Sequence, residues 1–136
     1  MKILIDTNVI LDVLCNRNEF IAASSKVIKL CEVNKFEGYI SALSIPNIVY
    51  IMRKELTPQK TAQLIQSLFT IFQIIDLKTT DIKNAAQFYS NDFEDAIQIC
   101  QAKRINADYI ITRNIRDFLN SKVPALQPSE LLDRYI

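Results

Sequence analysis

Lys2-Ile3-Leu4-Ile5-Asp6 is the stretch on which the fold turns: three consecutive branched apolar side chains in a run too short for a helix, closed by an acid. Such a run reads as a buried strand that starts almost at the first residue. A helix should follow through Val9 to Leu14. The same theme returns at Tyr39-Ile40-Ser41, at Phe72-Gln73-Ile74-Ile75, at Tyr109-Ile110-Ile111 and, as a fifth strand, around residues 123–126. Helical patterns fill the gaps. They cover residues 20–33, 44 to about 54 with Ser44 as N-cap and Pro46 in the first turn, and 57–69 opened by Thr57-Pro58. They resume from a cap at Thr80 or Asp81 to Tyr89, from Ser90-Asn91-Asp92 to Arg104, in a short turn over 115–119, and in a terminal segment after Pro128. Strand and helix alternate throughout, which predicts a three-layer α/β/α fold on a mainly parallel, roughly five-stranded sheet. With no repeat, low-complexity segment or linker, residues 1–136 read as a single domain.

Composition narrows the chemistry. The 136 residues are 49% apolar and 23% charged, enough for a core, but they include no histidine, no tryptophan and one glycine, Gly38. Without histidine there is no imidazole to activate a nucleophile and no His-bearing zinc site. With one glycine there is neither a G-x-G-x-x-G fingerprint nor a phosphate loop. Catalysis must come from carboxylates, hydroxyls, cations, thiols or a metal held by carboxylates, and oxygen donors select hard ions such as Mg²⁺ or Mn²⁺. Cys15, Cys31 and Cys100 are odd in number and lie in apolar stretches without C-x-x-C spacing or a leader, so buried thiols in a reduced, cytoplasmic protein are expected. The net charge of +1 gives no overall attraction to nucleic acid, though charge can be segregated locally. No apolar run is long enough to span a bilayer.

Parallel sheets bind ligands beyond the carboxyl ends of their strands. Asp6 follows the first strand, and Thr112-Arg113-Asn114-Ile115-Arg116-Asp117 follows the fourth. Asp92-Phe93-Glu94-Asp95-Ala96 starts the helix that feeds the fourth strand, so three acids from three segments can converge. Each signal has a plain structural alternative: Asp6 as a helix cap, Asp92 and Asp95 as a capping pair, Asp117 as a surface acid.

In combination they carry more. Asp6-Thr7-Asn8, Ile40-Ser41-Ala42-Leu43-Ser44, Asp92-x-Glu94-Asp95-Ala96 and Ile111-Thr112-Arg113-Asn114-x-x-Asp117-Phe118, in this order and spacing, resemble the PIN-domain nucleases. The likeness runs from end to end, to the closing Leu126-Gln127-Pro128-Ser129-Glu130-Leu131-Leu132, and is strongest to the bacterial branch that includes the VapC-type toxins of toxin-antitoxin pairs. The resemblance implies a metal-dependent ribonuclease in which acids hold Mg²⁺ or Mn²⁺ against the scissile phosphate. By that match Asp6 and Asp95 are ligands and Asp117 a direct or water-mediated one, with Asn8 a polar neighbour and Thr112 orienting the loop or a water. A divalent ion would relieve the repulsion among such acids and lower the pKa of its water.

The sequence departs from the family at Asn47, where relatives usually carry a glutamate, and more mildly at Asn114, where many carry an acid. Asparagine offers a neutral oxygen, so one well-held ion rather than two, and weak or narrow activity, are expected. Glu55 lies about 12 Å further along the helix and cannot substitute. Glu94 is closer, but adjacent helical residues diverge by about 100° from its neighbour Asp95, so it too is set aside. Arg113 and Arg116, with Arg53 and Arg17, are the candidate RNA contacts. The resemblance also implies an antitoxin encoded nearby and a homodimer, for which the apolar helix over 61–69 is a possible contact. Two rivals remain: a PIN fold that binds RNA or protein without cleaving, favoured by Asn47, and a receiver-type Mg²⁺-binding domain with Asp76 as phosphoacceptor. No acidic pair precedes the first helix, which weighs against the receiver.

Overall fold

Ile3, Leu4 and Ile5 are completely enclosed, and their alternation divides the interior into two cores. The computed structural model describes all residues from Met1 to Ile136. Its strands are β1 (Lys2–Ile5), β2 (Glu37–Ser41), β3 (Gln73–Ile75), β4 (Tyr109–Ile111) and β5 (Ala125–Leu126). They form one sheet of order β3-β2-β1-β4-β5, parallel at every pairing. The helices are α1 (Thr7–Leu14), α2 (Ile21–Glu32), α3 (Ser44–Ile51), α4 (Pro58–Ile71), α5 (Thr79–Ala86), α6 (Phe93–Arg104) and α7 (Pro128–Tyr135), with a 3₁₀ turn at Ile115–Phe118.

Ile3, Ile5 and Ile111 face one core with Val9, Val27, Ile48 and Leu131, covered by α1, α2, α3 and α7. Leu4, Ile75 and Ile110 face the other with Ile99, Ala102 and Phe118, covered by α6 and the 3₁₀ turn. Each enclosed aliphatic contributes about 1.5–3 kcal/mol. α5 packs on α6 through Ala85, Ala96 and Ile97. The expected three-layer α/β/α architecture is therefore the observed one, with a fully parallel sheet.

Backbone pairing sets the strand ends level. Asp6 N–H donates to Ile111 O (2.9 Å), Thr112 N–H to Leu126 O (3.0 Å) and Ala42 N–H to Ile75 O (2.8 Å). Asp6 and Thr112 consequently share one edge, the carboxyl edge. At the far end of α6, Arg104 donates to Asp76 O (2.7 Å) and to both oxygens of the buried Asp81 (3.1 and 2.9 Å). This clamp ties the end of α6 to α5 and to the residue after β3.

Several local expectations need correction. β2 begins at Glu37, two residues before Tyr39, because Glu37 N–H bonds Met1 O beside β1. Leu43 occupies the N-cap position of α3; Ser44 is inside the helix, buried, with its hydroxyl 2.7 Å from that of Thr7. α3 ends at Ile51 rather than near Lys54. α5 starts at Thr79 and ends at Ala86, and Asp81 is its third residue, accepting from Lys78 N–H (2.9 Å) instead of capping from outside. α4 is peripheral: only Leu68 is fully buried, and Phe69 is exposed. Cys31 is buried, as expected, but Cys15 is exposed and Cys100 half-buried; all three are free thiols. No helix is long and apolar enough to cross a membrane.

Candidate functional site

Asp6 is only 3% exposed and precedes α1, yet its side chain forms no capping hydrogen bond to that helix. Its carboxylate turns the other way. Gln98 Nε2 donates to Oδ1 (3.1 Å) and Thr112 Oγ1 donates to Oδ2 (2.9 Å). The Thr112 hydroxyl also accepts from Asn114 N–H (3.0 Å), so one side chain ties Asp6 to the loop after β4. Burial pushes the Asp6 carboxyl up; the bonds from Gln98 and Thr112 oppose this, and the charge of Glu94 adds to it.

Asp95 enters from α6. Asp92 caps that helix as expected, accepting from Asp95 N–H (3.1 Å), which presents Asp95 on the first turn toward the strand ends. Its carboxylate accepts no hydrogen bond although the residue is 7% exposed. Burial, then the charges of Asp6, Asp92, Asp117 and Glu94, push the Asp95 carboxyl up to about 8. Asp95 is thus the acid that feels both Asp6 and Asp117.

Glu94, set aside on helical geometry, belongs to the same cleft. Its Oε1 accepts from Thr7 Oγ1 (2.8 Å) and its Oε2 from Asn47 Nδ2 (2.9 Å). The 100° rule governs where Cβ points; three further rotatable bonds carry the carboxylate back to the site. Asn8 and Asn47 line the cleft with Asp6, Glu94 and Asp95, and Tyr50 and Ile51 stand at its mouth, around a volume of about 340 Å³.

Asp117 sits on the 3₁₀ turn, exposed, in a separate hollow with Asn114, Arg116 and Arg113 that shares no lining residue with the cleft of Asp6 and Asp95. The expected RNA contacts are divided. Arg116 is exposed and pairs with no acid, while Arg113 and Arg17 turn to the completely buried Asp12, at 2.9 and 3.4 Å. Ser24 donates to Asp12 as well, and the Arg113 guanidinium lies 4.1 Å over the Phe20 ring. Both arginines thus brace the loop and α1 against α2. Arg53 stacks on Tyr50 at 4.1 Å, near the cleft mouth. Nothing in the sequence singled out Asp12, whose only signal is an acid on the apolar face of α1.

No lysine or arginine neutralises Asp6, Glu94, Asp95 or Asp117. Nor do any three acids already close around a common point. The donor set is all oxygen and no basic side chain balances it, which fits the chemistry of a hard divalent cation. A larger hollow of about 660 Å³ between α5 and α6 lies away from these acids, and its buried Asp81 is satisfied by Arg104.

Comparison with known proteins bears on the fold and the family. The family model described as PIN domain matches residues 2–116. Ribonuclease VapC1 of Aquifex aeolicus (strain VF5) is 24% identical over 98% of this chain and 95% of its own length. Among solved structures, a toxin-antitoxin complex from Klebsiella pneumoniae superposes with a TM-score of 0.70 at 22% identity, over 92% of this chain and 96% of that one. VapBC-1 from nontypeable Haemophilus influenzae gives a TM-score of 0.71 at 15% identity, over 95% and 99%. These likenesses show the shared fold.

Proposed function

The chain belongs to the PIN-domain family, and from that membership we propose that it is a divalent-metal-dependent endoribonuclease, the toxin of a toxin-antitoxin pair. The observation that carries the reading is the pair Asp6 and Asp95: two buried acids from distant segments of the sequence, brought to one cleft with no basic side chain paired to either. Asp6, Asp95 and Asp117 are the proposed ligands of Mg²⁺ or Mn²⁺. When bound, the ion supplies a water of lowered pKa and offsets charge on the phosphate.

The remaining work falls to the chain. Gln98 and Thr112 fix the orientation of the Asp6 carboxylate through its two oxygens. Thr112 also holds the backbone of Asn114, and with it the turn carrying Asp117. Asn8 and Asn47 supply neutral polar contacts in the cleft. Arg116 is free to meet a phosphate, and Arg53 with Tyr50 offers a charged, stacked surface beside the cleft. Arg113 and Arg17 contribute positive potential from a braced position.

The likeness to the toxin-antitoxin complex from Klebsiella pneumoniae supports an antitoxin partner for this chain, one that covers the acids. A cytoplasmic homodimer of single-domain chains, with the exposed Phe69 of α4 in the contact, completes the proposal. The test is cleavage of RNA in Mn²⁺ and in Mg²⁺ by the wild-type protein, Asp6→Asn and Asp95→Asn. Each variant is expected to lose at least about 100-fold in rate. Wild-type cleavage no faster than that of the variants overturns the enzyme reading and favours the non-cleaving RNA-binding alternative that Asn47 suggests.

A further inference from the structure

Position 47 carries an amide, and the nearest acid to that amide is Glu94. The contact is direct: Asn47 Nδ2 donates to Glu94 Oε2 at 2.9 Å, and Thr7 Oγ1 donates to Oε1 at 2.8 Å. The Thr7 hydroxyl is itself held by Ser44 at 2.7 Å, so α1, α3 and α6 together fix one carboxylate. Both oxygens keep a second lone-pair direction after these bonds. The Glu94 carboxylate therefore ends within one hydrogen bond of the tip of residue 47, where the carboxylate of an acid at 47 would itself end.

The arrangement is exclusive. Acids at both 47 and 94 would put two carboxylates at hydrogen-bond distance with no proton to share, whereas an amide facing an acid is satisfied on both sides. One negative charge fits in this corner of the cleft, and here α6 supplies it. A second observation points to the same cleft. Asp95, the neighbour of Glu94 on α6, lines the same cleft, is 7% exposed, and its carboxylate has no hydrogen-bond partner in the protein.

We propose that Glu94 is a carboxylate ligand to the divalent ion of this site, taking the place left by Asn47, and that Asn47 and Thr7 are positioning residues that aim it. The inference rests on reading the cleft as a metal centre. It also removes the charge deficit that Asn47 had implied, so the site keeps its full complement of acids from a rearranged set of elements.

Mn²⁺ binding to the full chain, measured by isothermal titration and by the Mn²⁺-induced rise in unfolding temperature, tests it without recourse to cleavage. Glu94→Gln, which keeps shape and removes charge, is expected to weaken Mn²⁺ binding by at least about tenfold. Its unfolding temperature in chelator is expected to match or exceed that of the wild type, because a like charge beside Asp6 and Asp95 has gone. The exchange Asn47→Glu with Glu94→Gln is expected to restore affinity to within about threefold, since the charge returns to the same corner. Unchanged Mn²⁺ affinity in Glu94→Gln overturns the proposal. So does failure of the exchange to restore binding, or a Glu94→Gln chain that no longer folds, either of which assigns Glu94 a structural role. A wild-type chain that binds no Mn²⁺ at all is a different result and removes the metal-centre reading itself.

Discussion

Asp95 receives no hydrogen bond, so burial and four neighbouring acids act on it unopposed. An aspartate that ordinarily titrates at 3.8 holds its proton here up to about 8. Between those values the folded chain binds more protons than the unfolded one, so the stability of the metal-free protein falls as pH rises. Asp95→Asn removes the titrating group. In chelator at pH 8 its unfolding temperature is expected to exceed that of the wild type, and the gap should shrink at pH 5. Thermal melts followed by circular dichroism check this, and a variant less stable than the wild type at pH 8 contradicts it. Individual side chains also show where sequence reading reaches its limit. Asp6, Asp95 and Thr112 were legible because their place is set by backbone, at strand ends and a helix start. Glu94 was not, because its place is set by torsions beyond Cβ and by a partner 47 residues away. The scarcity of glycine is met in a similar way: Asn16, Asn34 and Asn106 adopt the left-handed backbone usually left to glycine, together with Tyr89.

Among the elements, the packing of α2 on β2 depends on that one glycine. A Cβ at Gly38 would lie 2.7 Å from Cys31 Sγ, 2.9 Å from its Cβ and 3.0 Å from the Phe72 ring, so helix and strand would have to separate. Gly38→Ala is expected to cost about 1–3 kcal/mol in urea unfolding, and Cys31→Ala in the same background should recover part of it. No recovery would mean that the strain lies elsewhere. Element order and type were readable from alternating apolar runs, since hydrophobic periodicity is a local property. Caps were less so. Ser44 and Asp81 carry cap-forming side chains, but Ser44 serves Thr7 across 37 residues, and Asp81 serves Arg104 across 23 as well as Lys78 N–H at the start of its own helix. A local rule sees the polar group and not the distant partner that claims it. Arg113 shows the same effect, its charge turned inward by a buried acid on α1.

For the molecule as a whole, the sheet order β3-β2-β1-β4-β5 puts a strand made among the first next to one made among the last. Asp6 gains its backbone partner at Ile111 and its side-chain partners at Gln98 and Thr112. At ribosomal rates of about 5–20 residues per second, those partners follow Asp6 by roughly 5–20 s. Until then a central strand with three branched apolar side chains has one neighbour at most, and the acids lie on separate, unjoined segments. Ribosome-bound chains arrested before Tyr109 emerges are expected to be digested rapidly by protease and to bind no Mn²⁺, while released full-length chains resist. Protease resistance in the arrested chains would contradict this. For the proposed nuclease this strand order is a physical delay: no working site can close until the chain has been made through Thr112.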